Sequence, residues 1–197
     1  MTPGKILLLA AFCLSGAAAL SSGVAEQNAG LVRAAREQIG VTLSYDPAYT
    51  RLKYPGGDVA PETGVCTDVV IRAFRGVGLD LQVLVHEDMK SHFKKYPQLW
   101  KLPRPDPNID HRRVPNLMTY FERQGKRLPP SRDPAAYRAG DVVAWKLPGG
   151  LLHIGIVSDG IVPGTQRPRV IHNIGSGARE EDVLFAYEII GHYRWLP

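Results

Sequence analysis

Cysteine is almost absent from this sequence of 197 residues, which contains Cys13 and Cys66 and no other. Cys13 lies in an apolar N-terminal run, and we expect it to be removed with a signal peptide. The single remaining cysteine excludes a fold stabilised by a disulfide within the mature chain. A lone thiol in an oxidising compartment is a liability unless it is buried or used, and this favours a functional role for Cys66.

Long hydrophobic runs are also absent beyond the N-terminus. Residues 1–25 combine the cation Lys5, the apolar run Ile6–Leu14 and small residues ending at Ala25, which is typical of a cleavable signal peptide. That run is shorter than the roughly 20 residues that a membrane span needs. We therefore expect residues 26–197 to form one domain that is secreted, in the periplasm or cell envelope, without stable insertion in a membrane.

Neither sign of charge dominates, and the sequence contains no internal repeat or low-complexity tract. Lysine and arginine number 24 against 19 acidic residues, a formal net charge of +5. Such modest basicity suits an acidic polymer or an anionic surface as a neighbour. We expect no nucleic-acid partner, and we expect the protein to be a monomer.

The cysteine that remains lies in a predicted helix. Apolar residues recur at helical spacing over residues 65–77, with Cys66 in the first turn. Thr63 is the predicted N-cap, Asp68 is a favourable acid near the helix start, and Gly78 is the expected stop. The positive end of the helix dipole would lower the pKa of the thiol and favour the reactive thiolate. A small, inert core cysteine is the alternative.

The order of predicted elements indicates an α+β fold, with N-terminal helices packed on a mostly antiparallel sheet. Besides the cysteine helix, helices are predicted over residues 31–39, 79–96 and 115–124. Strands are predicted over residues 41–45, 140–145, 151–158, 169–174, 183–190 and 192–195.

A proline-rich, charged segment over residues 100–115 is predicted to be a long surface loop that forms one wall of a cleft. A solvated connector is the alternative. Its charged residues Asp110, His111, Arg112 and Arg113 cluster too densely for a protein core. Arginine pairs well with carboxylates through two parallel hydrogen bonds, so we expect the arginines to contact substrate.

Two of the six histidines, His153 and His172, lie in predicted apolar strands. A cysteine nucleophile needs a base within hydrogen-bond reach and a third polar group that fixes the imidazole, and these histidines can supply both. Each could instead be an ordinary core residue. Together with Cys66 they could bind zinc, but no close ligand pair of the usual spacing is present. We therefore predict no metal and no cofactor.

Three motifs carry a resemblance to known proteins. The segments Gly64–Asp68, Asn108–Asn116 and Val170–Gly175 together resemble the family catalogued as domain of unknown function 1287, over nearly all of the mature chain. The helix-borne cysteine, followed by strands Gly140–Val143 and His153–Val157, also resembles the NlpC-type and CHAP-type papain-like cysteine peptidases. Many of these peptidases cleave bacterial cell-wall peptides.

The peptidase resemblance implies a papain-like (NlpC-type) fold with Cys66 as nucleophile, His153 as general base and His172 as the orienting residue. The implied protein is a secreted cell-envelope hydrolase that cleaves amide bonds in peptidoglycan peptides by thiol acyl transfer. The usual Asp-Cys-Ser motif reads Val65-Cys66-Thr67 here. Two alternatives are a non-catalytic envelope-binding module that retains the fold, and a thiol amidase or acyltransferase acting on a lipid or small molecule.

Two further roles are left open by the resemblance. The peptidases carry a tyrosine near the active site, which Tyr45 matches loosely and for which Tyr54 competes. Papain-like enzymes also use an asparagine to orient the base, so Asn173 is an alternative to His172. Successive side chains of a strand point to opposite faces, and only one of these two can face Cys66. The NlpC-type resemblance favours His172.

Overall fold

The computed structural model of the protein describes residues 26–195. The predicted signal peptide, residues 1–25, lies outside the described residues. The four α-helices of the described chain occupy residues 26–36 (α1), Cys66–Gly76 (α2), Leu81–His92 (α3) and Val114–Arg123 (α4). Short 3₁₀ turns occur at Phe93–Lys95, Asp110–Arg112 and Pro134–Ala136.

Six strands form the main sheet, in the order β3-β8-β4-β5-β6-β7, and every neighbouring pair is antiparallel. Their bounds are Arg127–Leu128 (β3), Val142–Lys146 (β4), Leu152–Ile161 (β5), Pro168–His172 (β6), Arg179–Glu181 (β7) and Glu188–Tyr193 (β8). A separate parallel pair joins β1 (Ser44–Tyr45) to β2 (Thr63–Gly64). The predicted α+β class with a mostly antiparallel sheet is confirmed.

Alternation along β5 separates the two faces of the main sheet. Ile154 and Ile156 belong to a buried apolar cluster that also contains Cys66 of α2. Val157 belongs to a second cluster with Trp145 of β4. Because neighbouring side chains of a strand point to opposite faces, the first cluster lies on the helix side of the sheet and the second on the other side.

Aromatic packing fixes α2 and α4 on the sheet. The ring of Phe121 on α4 lies 5.7 Å from that of Phe74 on α2 and 5.3 Å from that of Tyr193 on β8. Burying a side chain of this size stabilises the fold by about 1.5–3 kcal/mol. The helix that bears the cysteine is therefore anchored on a rigid core.

The start of α2 differs from the prediction in its capping residue. The N-cap is Val65, and the predicted cap Thr63 lies in β2. The side chain of Asp68, on the third helical residue, reaches back and accepts a hydrogen bond from the N–H of Val65 at 2.7 Å. Gly64 leaves room for this arrangement, because a Cβ there would lie 3.1 Å from both Cβ and Oδ2 of Asp68.

The second predicted helix is shorter than residues 79–96. It begins after Asp80, whose carboxylate accepts a hydrogen bond from the N–H of Gln82 at 3.0 Å. It ends at His92 and continues as the 3₁₀ turn. An aspartate at the N-cap satisfies a free helical N–H, which explains why the helix starts two residues later than its apolar pattern.

The prediction of two final strands, over residues 183–190 and 192–195, is wrong. A single strand, Glu188–Tyr193, forms there. Leu184 is fully buried in the second cluster, and its carbonyl accepts a hydrogen bond from Nε1 of Trp145 at 3.0 Å. The apolar pattern before β8 therefore reflects a turn that buries Leu184 rather than a paired strand.

The prediction that residues 100–115 are a surface loop is wrong at its C-terminal end. Asp110, His111 and Arg112 are 1%, 2% and 6% exposed, and they pack between the helices as a 3₁₀ turn. Dense charge did not exclude burial, because the charges are paired inside the protein. No helix of residues 26–195 is long and apolar enough to cross a membrane.

Candidate active site

Cys66 borders an open cleft. It is the first residue of α2 and is 2% exposed. The cleft has a volume of about 390 Å³, and Tyr45, Trp100, Arg113 and Leu151 are among the other residues that line it. A thiol in this position is shielded from bulk water but lies next to a space that a ligand can enter.

The predicted low pKa of the thiol is not found. Burial raises the pKa of Cys66 to about 11, while hydrogen bonding by the backbone N–H of Ile154 and by the hydroxyl of Tyr45 opposes that rise. Desolvation of the charged form outweighs the helix dipole at this site. Burial also raises the pKa of Tyr45. Both groups are therefore protonated at neutral pH.

Asn173 holds the segment before the cysteine. Its Nδ2 donates hydrogen bonds to the carbonyl of Gly64 at 3.0 Å and to that of Ser44 at 3.2 Å. These carbonyls belong to β2 and β1, so the amide ties both short strands together and places Tyr45 beside the thiol. Tyr54, the competing tyrosine, instead donates to Glu87 of α3 at 2.9 Å.

His153 and His172 form a hydrogen-bonded pair on the sheet. Nε2 of His153 lies 2.8 Å from Nδ1 of His172, and Nε2 of His172 lies 3.1 Å from Oε2 of Glu181. The structure thus brings the two predicted histidines together. It adds Glu181, which the sequence does not single out because β7 has three residues, all of them charged, and shows no apolar pattern. Glu181 lies opposite Val170 of β6. A strand expected directly after β6 would have placed Glu181 beside the strand that bears His172.

The hydrogen bonds assign the tautomers of this pair. A carboxylate only accepts, so Nε2 of neutral His172 carries a proton and donates to Glu181, which leaves Nδ1 as an acceptor. Nε2 of His153 then donates to that nitrogen, and Nδ1 of His153 is left unprotonated. Burial lowers the pKa of His153 to about 3 and also lowers that of His172, an effect that Glu181 opposes. The pair therefore presents a free base.

Packing fixes the imidazole of His153 in place. The ring stacks on Trp145 with centroids 5.7 Å apart, and it meets His172 edge-on at 5.0 Å. Gly155 permits the close approach of β5 and β6, because a Cβ there would lie 3.0 Å from Cβ of His172 and 2.8 Å from Cγ1 of Val170. The glycine of the His-Ile-Gly motif is thus part of the histidine arrangement.

The thiol and the histidine pair approach β5 from different sides. Cys66 packs with Ile154 on the helix side, and His153 packs on Trp145. In the described chain, no hydrogen bond joins the thiol to either imidazole. The link between them is the N–H of Ile154, the residue after His153, which hydrogen-bonds to the sulfur.

Arg112 is a structural residue of the site. Its guanidinium pairs with both carboxylate oxygens of Asp68 at 2.9 Å, and it donates to the carbonyls of Ala48 at 3.2 Å and Asp46 at 3.3 Å. The carbonyl of Arg112 accepts from Thr67 at 3.0 Å. These bonds join the start of α2 to the segment after Tyr45, and they occupy the guanidinium that we expect to contact substrate.

Asp110 and His111 do not line the cleft. Asp110 accepts from the N–H of Asp106 and from Nη1 of Arg113 at 3.2 Å, and burial raises its pKa to about 6. Burial, with a smaller effect of Arg75, lowers the pKa of His111 to about 3. Both residues support the turn behind the cleft.

Arg113 differs from Asp110 and His111 because it lines the cleft. Its guanidinium lies over the ring of Trp100, 3.9 Å from the centroid. The sequence analysis missed Trp100, Leu99 and Leu151. The available signals were an aromatic residue and a leucine at the edge of the proline-rich segment, and a leucine just after a glycine pair.

A metal site is not evident in the described chain, since residues 26–195 contain no group of three or more His, Cys, Asp or Glu side chains placed to hold an ion. His192 forms a buried pair with Asp141 at 2.7 Å and stacks on Tyr137 at 4.3 Å between centroids.

Sequence comparisons identify the family. Residues 32–195 match the family described as domain of unknown function 1287, and the chain belongs to it. The chain is also 61% identical over 172 residues to an uncharacterized protein, YijF, of Escherichia coli strain K12. That alignment covers 87% of this chain and 83% of the relative. The resemblance to the family described as domain of unknown function 1287 is confirmed.

Proposed function

We propose that this protein is a cell-envelope cysteine hydrolase with a papain-like (NlpC-type) fold, which cleaves amide bonds in peptidoglycan peptides by thiol acyl transfer. One observation carries the proposal: the thiol of Cys66 starts a helix, borders an open cleft and contacts the strand that bears His153. The likeness of the motifs to those of cell-wall peptidases supports the substrate class.

The proposed reaction uses the unprotonated Nδ1 of His153. This nitrogen takes the thiol proton as the sulfur of Cys66 attacks the amide carbonyl, and the carbonyl oxygen becomes an oxyanion. N–H groups in the first turn of a helix have no intrahelical acceptor, so they can stabilise that charge. The imidazolium then protonates the leaving amine, and water hydrolyses the thioester to release the acid.

The resting site sets a constraint on this reaction. The pKa of Cys66 is raised to about 11 and that of His153 is lowered to about 3, in both cases chiefly by burial. A resting thiolate–imidazolium ion pair is therefore disfavoured. The thiol and the imidazole also lie on different sides of β5, so we propose that the start of β5 must rearrange when substrate binds and that the proton leaves the thiol during the attack.

The test is digestion of purified cell-wall sacculi, with the released fragments analysed by mass spectrometry. Native protein is expected to release peptide fragments, and the Cys66→Ala variant is expected to release none. Circular dichroism of the variant checks that its fold is retained. Failure of the native protein to cleave any sacculus preparation would remove the hydrolase proposal.

A non-catalytic envelope-binding module is the second candidate, and the burial of the thiol favours it. A cysteine that is 2% exposed with a pKa raised to about 11 matches an inert core cysteine. A thiol-reactive reagent separates the two candidates. Rapid labelling of Cys66 in the native protein supports the enzyme, whereas an unlabelled thiol in a protein that binds sacculi supports the module.

A further inference from the structure

The cleft beside Cys66 has a lining of apolar side chains and arginines. Two arginines line it, Arg112 and Arg113, and in the described chain no aspartate or glutamate does. Leu99, Trp100 and Leu151 in its lining are all exposed. Such a surface complements a ligand that combines an anionic group with apolar parts.

The two arginines are not equivalent as ligand donors. Arg112 is buried, and its guanidinium is engaged by Asp68 and two backbone carbonyls. The side chain of Arg113 is 16% exposed, and within residues 26–195 its guanidinium makes one hydrogen bond, which is to Asp110. A guanidinium has five N–H donors in one plane. Arg113 therefore keeps most of its donors for a ligand.

Trp100 and Asp110 hold the guanidinium of Arg113 in one orientation. Stacking on an aromatic ring uses the face of the guanidinium and leaves its N–H edge free. Asp110 is buried and fixes one nitrogen at 3.2 Å. A cation held between a buried carboxylate and an indole loses little freedom when it binds, which favours affinity.

We propose that Arg113 and Trp100 form a subsite that binds a carboxylate of the substrate, so that the substrates are peptides with a free carboxylate near the scissile amide. The arginine edge pairs with the carboxylate, and Trp100 with the exposed leucines covers the apolar part of the peptide. The catalytic meaning of this subsite rests on the proposed function, but carboxylate binding does not.

A matched pair of peptides tests the subsite on the native chain. The probes are N-acetyl-alanyl-glutamate and N-acetyl-alanyl-glutamine amide, in which carboxamides replace both carboxylates. Binding is followed through the indole N–H signal of Trp100 by NMR, assigned with Trp100→Phe. The acidic peptide is expected to bind about tenfold more tightly, the preference that a charged hydrogen bond of roughly 1.5 kcal/mol supplies.

Variants of two arginines complete the design. Arg113→Gln is expected to abolish the preference for the acidic peptide, and Arg113→Lys to retain only part of it, because lysine keeps the charge without the planar fork. Arg104→Gln is the matched control, since Arg104 is exposed, lies in the same proline-rich segment and is not in the cleft lining. It carries the same loss of charge and is expected to keep the full preference.

Equal affinity for the two peptides, or a Trp100 signal that does not respond to the acidic peptide, would overturn the subsite. The same preference in Arg113→Gln would also overturn it. Digestion of sacculi reports on the hydrolase proposal separately. If Cys66→Ala protein keeps the carboxylate preference but native protein releases no fragments, the subsite stands and the hydrolase proposal fails.

Discussion

Arg112 and Arg113 are adjacent in the chain, yet the structure gives them different environments. Arg112 pairs with Asp68, which lies 44 positions away in the sequence, and Arg113 stacks on Trp100. Local sequence cannot distinguish them, because a buried arginine is tolerated only where a distant partner compensates its charge. The prediction of substrate contact treated the two arginines alike and did not anticipate the pairing of Arg112 with Asp68.

Replacement of Arg112 by alanine is expected to destabilise the protein strongly. The change leaves Asp68 buried without its partner, which typically costs about 3–5 kcal/mol. Urea unfolding gives the free energy of unfolding of the variant. Arg104→Ala, at an exposed position, is the control. A loss below about 1 kcal/mol, within the range of a surface ion pair, would contradict the structural role.

His172 and Asn173 are expected to differ in what their loss affects. His172→Ala removes the partner of Nε2 of His153, and loss of an orienting group lowers kcat by at least on the order of 100-fold. Asn173→Ala leaves two backbone carbonyls with fewer donors, which costs about 1–3 kcal/mol of stability. Sacculus digestion and urea unfolding measure the two effects. A larger kcat effect of Asn173→Ala would give the orienting role to the asparagine.

At the scale of elements, apolar periodicity predicted the helices and the longer strands, but it did not predict how the short strands pair. The helix around Cys66 and the strands β4, β5 and β6 follow apolar patterns that the sequence shows directly. The short edge strands β3 and β7 have two and three residues, most of them charged, so neither shows an apolar pattern from which its pairing could be predicted. Glu181 was missed for that reason, although Cys66, His153 and His172 were singled out.

Gly155 allows β5 and β6 to pack closely, and the geometry of the His153–His172 pair depends on this close packing. Gly155→Ala is expected to push β6 away from β5, since overpacking typically costs about 1–3 kcal/mol, and to break the His153–His172 hydrogen bond. Nitrogen NMR of the imidazoles reports the tautomers, and unfolding reports the stability.

Gly160→Ala in the same strand is the matched control for this change. Its Cβ would meet Oε1 of Glu180, the end of a flexible side chain that can move aside. The control is expected to keep the imidazole signals of the native protein. Unchanged tautomers in Gly155→Ala would show that the pair does not depend on the close approach of the strands.

At the scale of the whole molecule, buried histidines couple stability to pH. The folded-state pKa values of His111 and His153 are lowered to about 3 from 6.5, and that of His172 is lowered as well, in each case chiefly by burial. These histidines therefore bind protons in the unfolded chain at pH values where they stay neutral in the folded chain. Asp110, with a pKa raised to about 6 from 3.8 by burial, acts in the opposite direction.

We expect the free energy of unfolding to fall as the pH drops below about 6.5, because the unfolded histidines become protonated first. His86, whose pKa is also lowered by burial, makes four such histidines against the one aspartate. Each such histidine lowers stability by up to about 1.4 kcal/mol per pH unit within that window, while the aspartate offsets one of them between about pH 6 and pH 4.

Urea unfolding at pH 7.5 and pH 5 measures the difference. His111→Gln removes one titrating group outside the cleft, so its stability should decline less steeply with falling pH than that of the native chain. Equal stability of the native chain at both pH values would show that the histidines are not held neutral by burial.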